Sequence, residues 1–276
     1  LIIRRSEDRG NTWSSPIDSI TGLLRMGEYH TAPMPVISYR GRIWRAVECA
    51  RSNTDIWGKR YSAMIISAPD SADLLQAASW SVTDSLPYDS TYLDGKFGAW
   101  LEGNAVVTPD GNVADLLRVD YAPGPEYAAL IRLRDSVSFD PFDPEKDFAR
   151  MPGGAKKFTV RYDSLSGRYW SLVNYVTQEW AGKQNPAWVR NTLALSSSPN
   201  LQEWMVHRTV LHHPDIAKHG FQYADWLFDG NDIVLLSRTA YDDNGTGAHN
   251  CHDANYMTFH RIKDFRKALT EQAGNR

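Results

Sequence analysis

Cysteine is scarce in this sequence: among 276 residues there are only two, Cys49 and Cys251. Two cysteines cannot make a disulfide framework, so the fold must depend on its hydrophobic core. No apolar run is long enough for a membrane-spanning helix. Charge is nearly balanced, with 30 Lys and Arg against 33 Asp and Glu, so no basic field favours nucleic acid or an anionic membrane. Neither is therefore a predicted partner.

Motifs of several enzyme classes are missing as well. The sequence has no phosphate-binding loop, no G-x-S-x-G elbow and no Cys–His nucleophile pair. Helical periodicity is limited to the stretch 263–272 and a short turn at 71–78. In contrast, 10 Trp, 13 Tyr, 19 Gly and 14 Pro are present. This composition is typical of a turn-rich β protein, often one that handles sugars.

Hairpins recur along the sequence. Residues 36–44, 104–113 and 226–234 each read as a strand, a tight Arg-Gly or Asp-Gly turn, and a second strand. A segment that ends in an aromatic residue also repeats, at steps of 67, 59, 65 and 61 residues. The closing aromatics are Trp13, Trp80, Phe139, Trp204 and Phe265. A unit of about sixty residues with two hairpins predicts one four-stranded propeller blade.

The predicted fold is therefore all-β, a single β-propeller domain over residues 1–276. We expect about four and a half blades of a five- or six-bladed propeller, because a propeller must close to hide its sheet edges. Residues 1–20 would supply a half blade, which implies strands upstream of Leu1. The whole blades are predicted at 30–90, 98–145, 153–213 and 220–268.

The segment from Ser6 to Trp13 fits the pattern S-x-D-x-G-x-T-W, the Asp-box or BNR repeat. Its Ser and Asp side chains are expected to bond backbone groups of a hairpin turn, and its Gly to take a positive φ. The Trp is expected to pack between neighbouring sheets. The motif predicts fold rather than chemistry, because such turns lie on a propeller's rim.

Three further segments make the chain resemble the sialidase (neuraminidase) superfamily. Glu102 is followed by a strand, an Asp-Gly turn and, sixteen residues on, Arg118. Arg190 precedes a degenerate Asp-box strand. Residues 223–230, Tyr-Ala-Asp-Trp-Leu-Phe-Asp-Gly, are similar to the segment that carries the sialidase nucleophile. The three segments also follow the order found in sialidases.

The resemblance implies a glycoside hydrolase that cleaves a terminal anionic sugar from a glycan. Tyr223 would be the nucleophile, Glu102 its base, and Arg118 and Arg190 the clamps of the sugar carboxylate. Two family features are not visible: a first Arg in a Phe/Tyr-Arg-Ile-Pro motif, and the Asp general acid that follows it. Both would lie upstream of the first Asp-box. The resemblance also implies a secreted or periplasmic location.

Other polar residues are predicted to contact the glycan. Arg45 and Glu48 follow a hairpin turn and are expected near the central funnel. Arg238, His252 and Asp253 flank a Gly-rich loop expected beside the same funnel. A metal site built from His249, Cys251, His252 and Asp253 is less favoured, because their spacing fits no zinc pattern. No cofactor or metal is therefore predicted.

Two alternatives stay open. One is another carbohydrate-active propeller enzyme, a uronic-acid-directed glycosidase or a polysaccharide lyase that uses His252 as general acid or base. The other is a non-catalytic carbohydrate-binding propeller, with Trp44, Trp100 or Trp188 as aromatic platforms around the funnel. In the corresponding structural interpretation, Glu102 forms an ion pair on its strand and Tyr223 packs in the hydrophobic core.

Overall fold

The computed structural model describes residues 1–51, 54–122, 124–242 and 247–271. Over these ranges the chain is all-β, as predicted: its strands form four sheets, joined by turns and short helical segments. None of the described helices is long and apolar enough to cross a membrane. The fold thus agrees with the scarcity of helical periodicity in the sequence.

The first sheet has the order β1-β3-β4-β5, with β2 also paired to β3. It falls within the predicted blade 30–90 apart from its first residue. Before it, the described residues form one isolated bridge, between Ile2 and Leu23, so the half blade over 1–20 stays a prediction. The strands are β1 (Tyr29–His30), β2 (Ile37–Tyr39), β3 (Arg42–Ala50), β4 (Tyr61–Pro69) and β5 (Ser81–Val82).

Two sheets of four strands follow. The first has the order β6-β7-β8-β9 and the second β10-β11-β12-β13. The strands of the first are β6 (Phe97–Val107), β7 (Val113–Tyr121), β8 (Tyr127–Arg132) and β9 (Phe148–Arg150). Those of the second are β10 (Thr159–Asp163), β11 (Arg168–Asn174), β12 (Thr192–Ser198) and β13 (Met205–His212).

The last sheet has three strands in the order β14-β15-β16. They are β14 (Gly220–Asp229), β15 (Asp232–Ala240) and β16 (Tyr256–Ile262). Helical segments are short: Tyr92–Gly95, Ala268–Glu271, and 3₁₀ turns at Ala77–Ser79, Pro186–Trp188 and Phe265–Lys267. The predicted helix over 263–272 is thus partly formed, and Gln272 lies outside the described residues.

The predicted turn residues explain why these hairpins form. In the turn between β2 and β3, Arg40 (φ 51°) and Gly41 (φ 70°) are both left-handed, the conformation that matches the twist of a two-residue hairpin. In the turn between β14 and β15, Gly230 also has a positive φ, 62°. These are the Arg-Gly and Asp-Gly turns that the sequence predicts.

The protein divides into two compact units. Unit 1 comprises residues 1–88, 100–117 and 131–142, and unit 2 comprises 89–99, 118–130 and 143–276. Unit 1 has a cluster of buried side chains on β3 and β4, among them Val47 and Met64. In unit 2, Trp170 of β11 and Trp226 of β14 share a core with Phe265. The rings of Trp170 and Phe265 meet edge to face at 5.0 Å.

The segment Ser6–Trp13 has the local bonding expected of its motif. Asp8 accepts hydrogen bonds from the amide and the hydroxyl of Thr12, at 2.8 and 2.6 Å, and Gly10 has φ 90°. These bonds hold the pKa of Asp8 at about 2, well below its usual range. Trp13, however, is 55% exposed, and its indole donates to the carbonyl of Gly10. The expectation that it packs between sheets is therefore wrong, because the indole closes its own turn.

Candidate active site

Three of the predicted residues, Arg45, Glu48 and Glu102, lie in unit 1. Glu102 is a buried residue of β6, 3% exposed, and its backbone is left-handed at φ 49°. Residues with a side chain rarely adopt this conformation, which costs on the order of 1–3 kcal/mol and persists where neighbours enforce it. The predicted base is thus a strained residue within an otherwise extended strand.

Glu48 of β3 lies beside this strained residue. Its side chain is fully buried; Oε1 accepts the backbone N–H of Gly103 at 2.9 Å, and Oε2 lies 3.2 Å from Nδ1 of His30. Burial raises the pKa of Glu48, against the effect of these hydrogen bonds and of a contact with the Glu102 backbone. Buried in this way, Glu48 contacts protein atoms rather than the open surface.

Asp115 of β7 completes the acidic group and was not predicted. Its side chain is fully buried, and within the described ranges neither of its carboxyl oxygens has a hydrogen-bond partner. Burial, followed by the charge of Glu48, raises the pKa of Asp115 well above its usual value. It lies against Gly103, where an added Cβ would overlap the Asp115 carboxyl group.

Arg45 donates to the loop between β1 and β2. Its guanidinium binds the carbonyl oxygens of Met34 and Ala32, at 2.9 and 3.1 Å, and the hydroxyl of Thr31 at 3.1 Å. These bonds tie the loop to β3. The observed role of Arg45 is to hold this loop, and its contact with a glycan stays a prediction.

The other six predicted residues lie in unit 2. Tyr223 is partly buried and left-handed at φ 51°, and it lies in β14 where the register with β15 shifts between Gln222 and Asp225. A bulge of this kind re-aims a side chain away from the regular alternation of a strand. The predicted nucleophile and the predicted base therefore both have strained backbones.

Two arginines flank the Tyr223 ring. The guanidinium carbon of Arg238 lies 4.7 Å from the ring centroid, and that of Arg190 lies 5.9 Å from it. The His252 ring approaches edge-on, with its centroid 6.1 Å away. Guanidinium groups at these distances make cation–π contacts with the ring of Tyr223.

Buried side chains fix this arrangement. Gln222, fully buried, accepts from Arg190 at 2.8 Å and donates to the carbonyls of Cys251 and His252, at 2.8 and 2.6 Å. Each of these bonds joins residues at least 29 positions apart in sequence. The positions of Arg190, His252 and the strand that carries Tyr223 are therefore interdependent.

Arg118 and Arg190 are buried, 7% and 4% exposed. Arg118 donates Nε–H to the carbonyl of Ala155 at 2.9 Å. Lys156, fully buried, binds Glu126 at 2.5 Å. Burial lowers the pKa of Lys156, Glu126 opposes this, and the charges of Arg190 and Arg118 add to the lowering. Three cations therefore interact in this part of unit 2.

Lys156 is not among the site residues predicted from the sequence. The pair Lys156–Lys157 reads as a solvated surface pair, but both side chains are buried, at 0% and 3% exposure. Their partners are distant: Glu126 for Lys156, and the carbonyl of Ala224 for Lys157, at 3.1 Å. The Gly-Gly-Ala run before them is a sequence feature that indicates close packing: Gly154 lies so near the Tyr127 carbonyl that a Cβ would overlap it.

His252 and Asp253 form a dyad in the loop that precedes β16. His252 Nδ1 lies 3.0 Å from Asp253 Oδ1, and the hydrogen bond from His252 contributes most to the lowered pKa of Asp253. The His252 carbonyl also accepts from Arg238 at 3.1 Å. Part of this loop, 243–246, lies outside the described residues. Among the residues that are described, no cluster of three or more His, Cys, Asp and Glu could hold a metal ion.

The proposed aromatic platforms divide between core and surface. Trp100 and Trp44 are buried, at 0% and 7% exposure, so neither offers a face to a sugar. Trp188 is 55% exposed and its ring lies 6.2 Å from that of His252. Only Trp188 of these three is thus available as a platform.

Comparisons with known proteins give structural neighbours only. No family model matches the protein, and no curated protein matches it. Among solved structures, a complex of BT0996 with RGII has a TM-score of 0.54 and 13% identity, over 86% of this protein and 71% of that one. A B. megaterium levansucrase has a TM-score of 0.51 and 12% identity, over 94% and 69%.

A third neighbour, a Bombyx mori GH32 β-fructofuranosidase, has a TM-score of 0.49 and 13% identity over 84% of this protein, which spans about half (49%) of that one. At these identities the likeness shows the fold alone. The protein has a β-propeller fold, as predicted. Sialidases are not among these three neighbours, so membership of that superfamily stays a prediction.

Proposed function

We propose that the protein is a glycoside hydrolase that cleaves a terminal anionic sugar from a glycan, with Tyr223 as its nucleophile. One observation carries the proposal: Tyr223 has a strained, left-handed backbone and a ring flanked by Arg238 and Arg190. Strained residues cluster at functional sites, and tyrosines in a hydrophobic core rarely have two guanidinium groups within 6 Å. The propeller fold, which is common among glycoside hydrolases, supports it.

The chemistry follows from the charges. Tyr223 Oη would attack the anomeric carbon while its proton passes to a general base, the role that the resemblance assigns to Glu102; the glycosidic C–O bond would break and the leaving oxygen would take a proton from solvent. Water would then attack the anomeric carbon of the tyrosyl glycoside, Tyr223 would recover its proton from the base, and the proton of the water would return to solvent. A neutral phenol approaches a sugar that carries a carboxylate with less repulsion than a carboxylate nucleophile would. Arg118 and Arg190 would bind that carboxylate.

The concentration of positive charge favours an acidic sugar over a neutral one. Arg118, Lys156, Arg190 and Arg238 belong to the same unit. The charges of Arg190 and Arg118 both act to lower the pKa of the buried Lys156, after its burial and against its pair with Glu126. A carboxylate bound beside Arg118 and Arg190 would offset their charge, and a neutral sugar would not.

The test is a panel of fluorogenic glycosides that pairs sialosides and uronides with neutral rhamnosides. We expect release from an acidic glycoside, and a loss of at least about 10³-fold in kcat for Tyr223→Phe and for Glu102→Gln. The matched control is Tyr162→Phe, a 55% exposed tyrosine of β10. Full activity of Tyr223→Phe on the best substrate would refute the proposed nucleophile.

The His252–Asp253 dyad favours a second candidate, a lyase that acts on uronic acid. In that reaction His252 would remove the proton at C5 of the uronate, the electron pair would form the C4–C5 double bond, and the glycosidic oxygen would leave from C4. The unsaturated product absorbs in the ultraviolet, and the hydrolase product does not. Ultraviolet-absorbing product that disappears in His252→Ala would favour the lyase over the hydrolase.

A further inference from the structure

Glu102 has an unusual backbone that its own sequence does not require. It stands between Leu101 and Gly103 in β6, and its left-handed φ of 49° is unfavourable for a non-glycine residue. A conformation of this kind persists only where surrounding groups determine it.

One side of the Glu102–Gly103 backbone is held by Glu48. The Gly103 N–H donates to Glu48 Oε1 at 2.9 Å, and Glu48 comes from 55 positions earlier in the chain. Its other oxygen lies 3.2 Å from Nδ1 of His30, so each carboxyl oxygen has a fixed partner. Because the Glu48 side chain is fully buried, water does not compete for this bond.

Asp115 lies against the other side of the same backbone. The Asp115 carboxyl occupies the space that a side chain at position 103 would need, with Cγ 2.7 Å from the Cβ position and Oδ1 closer still. Only glycine fits there without displacing Asp115. Gly103 is thus confined between the Glu48 carboxylate at its amide and the Asp115 carboxyl at its Cα.

We infer that Glu48 is a positioning residue for Glu102: by binding the Gly103 amide against Asp115, it keeps the left-handed turn that aims the Glu102 carboxylate. This inference rests on the proposed function for its catalytic meaning, since Glu102 is the proposed base. In this role Glu48 does not contact the sugar. Misplacing a catalytic group by about 1 Å can cost about 10²-fold in rate, which sets the expected effect.

Two variants separate positioning from chemistry. Glu48→Met has a similar length but no acceptor for the Gly103 amide, and Glu48→Gln keeps an oxygen acceptor. We expect kcat to fall about 10²-fold in Glu48→Met with KM within about twofold, and to stay within about 10-fold of wild type in Glu48→Gln. Glu28→Gln is the control from the same unit, because Glu28 pairs with Arg60 at a half-exposed site. Its activity should be unchanged.

A second readout does not depend on any substrate. Hydrogen exchange of the Gly103 amide, followed by NMR, should be at least about 10-fold faster in Glu48→Met and near the wild-type rate in Glu48→Gln. If Gly103 exchange is unchanged in Glu48→Met, the inference is overturned whatever the enzyme cleaves. If exchange changes but no glycoside is cleaved, the positioning stands and the proposed function fails. If Glu48→Gln is as inactive as Glu102→Gln, Glu48 acts in the chemistry itself and the inference is wrong.

Discussion

The ion pair between Arg266 and Asp163 ties the C-terminal segment to the β10–β11 hairpin. Arg266 donates Nε–H to Asp163 Oδ2 at 2.7 Å and a second N–H to Oδ1 at 2.6 Å. The Asp163 side chain is 5% exposed and that of Arg266 is 22% exposed. Bidentate geometry and low exposure distinguish this pair from ordinary surface pairs, which contribute little. We predict that Arg266→Gln destabilises unit 2.

The size of the effect follows from the pKa of Asp163. The hydrogen bonds from Arg266, ahead of those from Ser166, lower this pKa from 3.8 to about 2. A lowering of nearly two pKa units corresponds to about 2 kcal/mol of stability at neutral pH. The folded-state pKa is the lower one, so this stability is present above about pH 4 and is lost as the pH falls toward 2. Arg266→Gln should therefore cost about 2 kcal/mol at pH 6 and much less near pH 2.

The assay is urea unfolding followed by tryptophan fluorescence, because the buried Trp170 contacts Phe265 beside Arg266. Unfolding free energies of wild type and Arg266→Gln are compared at about pH 6, above the transition, and at about pH 2.5, within it, where most of the contribution is lost. Lys267→Gln is the matched control, since its pair with Asp264 is exposed and should contribute less than about 1 kcal/mol. A difference for Arg266→Gln below about 0.5 kcal/mol at the higher pH, or one that does not shrink at the lower pH, would refute the reasoning.

Three further predictions concern single residues. Gly103→Ala should destabilise the protein by about 1–3 kcal/mol, because its methyl group would be forced onto Asp115. Thermal unfolding of the two single variants and of the double variant with Asp115→Ala should show that their effects are coupled. Additive effects would contradict the predicted contact between the two positions. The rings of His213 and His219 are stacked, with centroids 3.4 Å apart, and burial and then the charge of His219 lower the pKa of His213 below 6.5. Because the unfolded chain then binds a proton more tightly than the folded one, stability should fall as the pH falls. The melting temperature of wild type should drop between about pH 7.5 and about pH 5.5, and that of His213→Phe should drop less. An equal drop in the two proteins would exclude protonation of His213 as the cause. Gly220→Ala should lower kcat by moving the loop of His252, because an added Cβ would overlap the carbonyl oxygen of Cys251; wild-type kinetics would show that the loop adapts.

Local signals in the sequence predict much of the fold. The Arg40–Gly41 and Asp229–Gly230 turns form where expected, because glycine accepts the positive φ that short hairpins require. The burial of Arg118 and Arg190 also follows from their places beside apolar strands. Turns and strand periodicity depend on residues close together in the chain, so a single sequence is enough to predict them.

The geometry of the candidate site depends on distant partners instead. The burial of Lys156 requires Glu126, thirty positions away, and the turn at Glu102 involves Glu48, which binds the next residue from fifty-five positions away. In the sequence, Asp115 is one of several polar residues in predicted strands, and only the structure shows that it lies against Gly103. Such pairings arise only when the sheets assemble, and neither composition nor periodicity reports them.

The most direct test of the central claim is the rate of hydrolysis of acidic and neutral glycosides by wild type and Tyr223→Phe. We predict that wild type has a kcat/KM at least about 10²-fold higher for its best acidic substrate than for any neutral one, and that Tyr223→Phe loses this activity. Equal activity on neutral glycosides, retained in Tyr223→Phe, would contradict both the anionic substrate and the tyrosine nucleophile.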